Sequence, residues 1–309
     1  MGEMPATAPA GVGGLGPRGR GLFGRLLGGL RSAPVARSEA FSIAVASGKG
    51  GTGKSFVATS LAVLLHRAGR RTTLVDCDFG LAADHLLLGV KPVNTLQQLL
   101  SGKASLSQVL IETPCGPRLL PGASGVRKLA AMGDKDMLHF ARELGAVAAD
   151  NDVVLMDVGA GISPAVLLTM LAADTIVLVT QPEIAALVDA YAVVKCVSQL
   201  RADAKFCVLV NRVQTPGRGE QAFKKLTDVS RQHVGISLQY LGEVLDDPRV
   251  GQHRLGQLPL VVTEPHAATS AAMLAIATRL EQLAGPLGKR SVEGEAGIEA
   301  RFRRHRLFL

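Results

Sequence analysis

The chain has 309 residues, 47% hydrophobic and 19% charged, with 34 Lys and Arg against 26 Asp and Glu for a net charge of +8. This composition is globular and supplies a large core for one or two domains. The 4% aromatic content, with no Trp, argues against proteins that stack nucleic-acid bases on exposed rings; four cysteines without a C-x-x-C pair remove zinc ribbons, thioredoxin-like pairs and iron–sulfur clusters of the usual spacing, and no run of 18 apolar residues is present to span a membrane.

Residues 1–17 are rich in Gly, Pro and Ala, a composition that cannot bury a core. Residues 18–31 place Leu22, Phe23, Leu26, Leu27 and Leu30 at helical spacing between arginines, with four glycines that weaken the helix by about 1 kcal/mol each. Residues 1–38 are therefore expected as a disordered or partly helical basic extension. From Phe41 onward short apolar runs alternate with helical stretches. Strands are predicted at Phe41–Ala46, Thr72–Asp76, Val153–Asp157, Thr175–Thr180, Phe206–Asn211 and Tyr240–Val244, with a weaker one at Pro117–Leu120. Helices are predicted at 54–67, 126–148, 163–172, 185–201, 218–233 and 268–284. Strands apolar on both faces, alternating with helices, imply an α/β fold: a mainly parallel sheet flanked by helices on both faces, over residues 39–285. Ligands of such sheets sit beyond the carboxyl ends of the strands.

Charge is unevenly placed. Residues 1–38 carry +4, residues 286–309 carry +3, and the body between them is almost neutral at +1. Basic tails on a neutral body fit an anionic membrane surface, an acidic partner or simple solvation, and disfavour DNA as a partner. In the tail, Ile298, Phe302 and Leu309 share one side among flanking arginines, the pattern of a short amphipathic membrane-targeting helix.

The first strand runs into Gly48-Lys49-Gly50-Gly51-Thr52-Gly53-Lys54-Ser55 and then a helix, satisfying G-x-x-x-x-G-K-[ST] in its strand–loop–helix context. The glycines let successive N–H groups converge on phosphate oxygens, and the helix N-terminus adds positive potential. Lys54 can then reach the β- and γ-phosphates, and Ser55 can ligate Mg²⁺. The second strand ends in Asp76-Cys77-Asp78, carboxylates placed either to hold Mg²⁺ through water and orient an attacking water or to cap the next helix. The strand at 153–157 ends in Asp157, a Walker B arrangement, followed by Gly159-Ala160-Gly161, which lets a switch loop approach the γ-phosphate. Asp246-Asp247-Pro248 reads as a turn by its Asp-Pro pair, and equally resembles the segment that flanks the adenine ring in similar ATPases.

The second lysine in the loop, Lys49, makes the chain resemble the deviant Walker A ATPases, a group that includes MinD, ParA and Mrp proteins. The resemblance covers about residues 41–284. Within the group, Asp76-Cys77-Asp78-Phe79-Gly80-Leu81-Ala82, Pro121-Gly122-Ala123-Ser124-Gly125, Gly159-Ala160-Gly161-Ile162-Ser163 and Pro182-Glu183 are most similar to the flagellar-number regulators called FlhG or FleN, then to MinD. What the resemblance implies is an ATP- and Mg²⁺-dependent homodimer with slow, partner-stimulated hydrolysis. In it Lys49 reaches across to the partner subunit's phosphates, Asp78 positions the hydrolytic water, Asp76 supports the metal, and Asn211 meets the adenine edge. It also implies a FlhF-like GTPase or flagellar switch proteins as partners, and a cytoplasmic chain held peripherally at the inner face of the cell membrane.

A MinD-like septum-site regulator and a ParA-like DNA partition ATPase are the alternatives. An Mrp-like iron–sulfur carrier is disfavoured by the absent C-x-x-C, and a non-hydrolysing nucleotide adaptor by Asp78. Two departures stand out. Ala83 and His85 replace the Asn and Asp that relatives carry after Gly-Leu-Ala, and the D-Q-A-x-x-L-R activator sequence of some relatives is missing.

Overall fold

The computed structural model describes residues 37–80, 82–123, 133–252, 256–284, 287–292 and 297–305. The N-terminal extension through residue 36, the start of the helix expected at 126, Ser124-Gly125 and Leu309 lie outside the described residues.

Eight strands form one sheet. In chain order they are β2 (Phe41–Ala46), β3 (Thr72–Cys77), β4 (Ile111–Glu112), β5 (Arg118–Leu120), β6 (Val153–Val158), β7 (Thr175–Thr180), β8 (Phe206–Val213) and β9 (Gln239–Leu245). Their spatial order is β4-β5-β3-β6-β2-β7-β8-β9, parallel throughout except for the β4–β5 edge pair. The fold class expected from the alternating apolar runs is thereby observed. Every residue of β2, β3, β6 and β7 is buried, as β-branched and apolar runs covered on both faces should be.

The long helices are α1 (Lys54–Arg67), α5 (Asp134–Asp150), α6 (Pro164–Ala172), α7 (Ile184–Leu200), α8 (Arg218–Val234) and α11 (Ala268–Ala284). Short turns of helix fill the connections: α2 (Asp84–Leu87), α3 (Leu96–Leu100), α4 (Leu106–Val109), α9 (Pro248–Gly251) and α10 (Leu260–Thr263). One apolar cluster packs α5, α6 and α7 on one face of the sheet, and a second packs α1 and α11 on the other. Strand β2 lies inside the sheet with chain crossing to β3 on one side and β7 on the other, so the loop after it opens at a topological switch point.

Much of the segment set apart as a tail at 286–309 is packed onto the body. β1 (Arg37–Glu39) pairs antiparallel with β10 (Arg290–Val292), and α12 (Ile298–His305) lies against α5 and α6. Ile298 and Phe302, expected on a membrane-facing stripe, are 0% and 1% exposed. Phe302 meets Phe140 edge to face at 5.7 Å, and Phe140 meets Phe79 in the same way at 5.6 Å. Their burial is the physical reason the docked helix has no apolar stripe to offer from these two positions. Among the described residues no helix is long and apolar enough to cross a membrane.

Candidate nucleotide site

The loop from Gly48 to Gly53 joins β2 to α1, and its curl is enforced by two close approaches. A Cβ on Gly48 would lie 2.3 Å from the backbone of Asp189 in α7. Gly53, at φ 86°, sits in the left-handed region, and a Cβ there would lie 2.2 Å from Asn211 Nδ2. Gly50 and Gly51 face open space instead. Side chains from three strand ends pin the loop. Asn211 Nδ2 donates to the Thr52 carbonyl at 2.8 Å, Gln181 Nε2 to the Gly51 carbonyl at 3.2 Å, and Ser47 Oγ to the Lys49 carbonyl at 2.9 Å. The backbone N–H of Gly161, in the loop after β6, donates to the Ser47 carbonyl at 2.9 Å and so ties the expected switch loop to the phosphate loop.

Lys54 and Asp157, 103 residues apart in sequence, form a buried ion pair at 2.5 Å. Burial pulls the Lys54 ammonium toward its neutral form, but the Asp157 charge and hydrogen bond outweigh it and hold the pKa above the usual lysine value. Asp76, fully buried, is pushed up to about 7 by loss of water and by the Asp157 charge. Its oxygens accept from the backbone N–H groups of Asp78 at 3.2 Å and Asp84 at 3.3 Å. Asp76 thus caps α2, whose N-cap residue Ala83 has no side-chain acceptor. Asp78 is half-buried, and its Oδ1 accepts from the Gly80 N–H at 3.1 Å. Lys49 is half-buried on the rim, and no ion pair holds it among the described residues.

The structure therefore brings together Lys54, Ser55, Asp76, Asp78 and Asp157 beside the loop, with Asn211 holding the loop from below. Asp247 forms the turn that its Asp-Pro sequence reads. It is the N-cap of α9, accepting from the Arg249 N–H at 3.0 Å and pairing with the Arg249 guanidinium at 2.7 Å, so the turn reading holds. Two site residues escaped the sequence reading. Gln181 carried a faint signal, a polar residue just past a buried strand. Asp84 carried none, since residues 82–85 read only as a departure from a pattern.

Thr52 Oγ1 is buried without a hydrogen-bond partner, and the buried Asp84 carboxyl accepts from no N–H or hydroxyl and meets the carboxyl of Asp157. Such oxygens beside a loop whose glycines open outward fit a site for phosphate with a divalent cation. Among the described residues no three His, Cys, Asp or Glu side chains form a ready metal cage. Mg²⁺ needs none, because one or two carboxylates and the nucleotide's own phosphates suffice.

The profile of the CobQ/CobB/MinD/ParA nucleotide binding domain matches residues 43–260. The chain is 33% identical over 248 residues to the antiactivator FleN of Pseudomonas aeruginosa, covering 80% of this chain and 89% of that one. It is 34% identical over 204 residues to the flagellum site-determining protein YlxH of Helicobacter pylori, covering 65% and 68%. Among solved structures, the cell division ATPase MinD of Pyrococcus furiosus superposes with a TM-score of 0.68 at 27% identity, covering 79% of this chain and 99% of that one. The septum site-determining protein MinD of Pyrococcus horikoshii, complexed with Mg-ADP, gives 0.67 at 28%, covering 79% and 97%. ATP with Mg²⁺ is accordingly the ligand that the loop, the lysine and the buried carboxylates accommodate. The chain belongs to the CobQ/CobB/MinD/ParA family of P-loop nucleotide-binding domains.

Proposed function

We propose that this chain is an ATP-dependent dimerising switch that controls the number or placement of flagella. The observation that carries the flagellar assignment is its similarity to FleN along 89% of that relative's length, seconded by YlxH. The switch reading rests on the loop itself, where one lysine is buried in an ion pair and a second stands on the rim.

In this reading the Lys54–Asp157 pair is the resting state. Lys54 turns from Asp157 to the β- and γ-phosphates, and Asp157, Asp76 and Ser55 are left to hold Mg²⁺. Mg²⁺ held there would neutralise charge on the phosphates. Asp78 orients water for slow hydrolysis. The Gly161–Ser47 hydrogen bond transmits rearrangement of the loop after β6 to the phosphate loop. Exposed Ile162, Ile184 and Val188 lie on that loop and on the α7 turns that pack against Gly48. They supply apolar surface for a second copy, into which Lys49 reaches.

Partners of the closed dimer are a FlhF-like GTPase or flagellar switch components. The proposal includes a cytoplasmic chain bound peripherally at the inner membrane face through the basic tail. Apolar insertion of α12 requires its release from α5, because Ile298 and Phe302 are buried there.

The test has two arms. In sedimentation, the purified chain dimerises in ATP with Mg²⁺ and stays monomeric as Lys49→Ala; a wild type that stays monomeric in ATP overturns the switch. In cells, deletion alters flagellar number or position at normal cell length. Minicells with normal flagella would establish the second reading, a MinD-like division regulator, which the MinD superpositions favour.

A further inference from the structure

Asp84 is the first residue of α2, and its fully buried carboxyl accepts from no N–H or hydroxyl; the group it meets is the carboxyl of Asp157. Its charged neighbours are Asp157, Asp76 and Lys54. Three buried carboxylates therefore face one buried ammonium. Isolating a carboxylate from water without a donor is costly, and such a group persists where another state of the protein supplies a partner. The three carboxylates are not equivalent. Asp76 is engaged by two backbone N–H groups, and Asp157 by Lys54. Asp84 alone of the three receives neither an N–H nor the ammonium. When Lys54 is drawn to phosphate, the three are left without their cation, and a divalent ion is the chemistry that restores the balance.

We propose that Asp84 is a positioning residue of the magnesium–nucleotide site, a third buried carboxyl group that strengthens Mg²⁺ binding beside Asp76 and Asp157. This rests on the nucleotide reading above. The residue stands between the two departures from the relatives' pattern, Ala83 and His85. With no side-chain cap at Ala83, Asp76 takes the helix N-terminus, and Asp84 is left as the carboxyl without an N–H donor.

The test is ADP affinity by calorimetry, in EDTA and in Mg²⁺, for the wild type, Asp84→Asn and Asp84→Ala. Asp84→Asn has the shape of a neutral buried acid and lacks only the charge. Expected is a wild type whose ADP affinity rises with Mg²⁺, and variants that bind ADP in EDTA as well as the wild type but lose roughly tenfold or more of the Mg²⁺ gain. Thermal unfolding without nucleotide should show Asp84→Asn no less stable than the wild type, since it relieves repulsion among carboxylates. A full Mg²⁺ gain in either folded variant overturns the role of Asp84 and leaves the nucleotide reading standing. A wild type that binds no ADP in either buffer overturns that reading, and this proposal with it.

Discussion

The two ends of the parallel sheet each bury a carboxylate against cations, and they do it in opposite ways. At the amino ends of the strands, Asp174 is saturated. Its Oδ2 accepts from the Ser42 N–H at 2.9 Å and Ser42 Oγ at 2.7 Å, and its Oδ1 pairs with Arg290 at 2.5 Å and Arg301 at 2.9 Å. At the carboxyl ends, Asp76, Asp84 and Asp157 crowd one Lys54; burial holds Asp76 and Asp84 above the usual carboxylate value, and no N–H or hydroxyl donates to Asp84. The saturated end is built to hold, clamping α12 and β10 to the body. The unsaturated end is built to receive a ligand, and its instability in the empty state is the counterpart of its affinity.

The contrast can be broken most forcefully at the saturated end. Asp174→Ala leaves Arg290 and Arg301 facing each other without their common anion, and should cost about 3–5 kcal/mol in denaturant unfolding. A change below about 1 kcal/mol would show that the clasp does not stabilise the fold.

The unsaturated end gives a pH signature. Below the ordinary carboxylate value of 3.8, Asp76 is protonated in both folded and unfolded chains. As pH rises toward about 7, the unfolded chain sheds a proton that folded Asp76 retains. The ligand-free protein therefore loses stability across that window, by on the order of a few kcal/mol, and levels off above it. Asp76→Asn should flatten part of that slope in thermal unfolding followed from pH 4 to pH 8, and an unchanged slope would remove Asp76 from the account.

Two smaller effects sharpen the picture within the loop. Asn211→Ala strips the buried Thr52 carbonyl of its donor and should cost about 1–3 kcal/mol, while also weakening nucleotide binding measured by calorimetry. Lys49→Ala, on the half-buried rim, should alter unfolding stability by no more than about 0.5 kcal/mol, so that any loss of ATP-driven dimers reads as function and not misfolding.

The sequence made the sheet and its chemistry legible wherever the signal was local. Phe41–Ala46, Thr175–Thr180 and the helix at 54–67 are found with the predicted limits, because continuous apolar runs and a glycine-lysine turn punctuate themselves. Elements of three or four residues, such as β1, β10, α2 and α9, are too short to show periodicity. The β1–β10 pairing joins residues more than 250 positions apart, which no local pattern encodes. The same division holds in the site. Lys54, Ser55 and Asp157 were readable from their places after strands, whereas the Lys54–Asp157 contact and the role of Asp84 depend on how β2, β6 and α2 converge. Docking of Ile298 and Phe302 was equally hidden, since an amphipathic stripe has the same spacing whether it covers a lipid surface or a protein core.

The antiparallel match of Arg37 with Val292 has a further consequence. It fastens the strand before β2 to the strand before α12 at a single anchorage, at the opposite ends of the sheet strands from the phosphate loop. Arg290, Arg301, Arg303 and Arg304 gather around that anchorage, while Asp76, Asp84 and Asp157 occupy the far end. The cations of that anchorage are answered on the spot, Arg290 and Arg301 by Asp174 and Arg303 by Glu299, so the clasp balances its own charge and draws none from the phosphate-loop end.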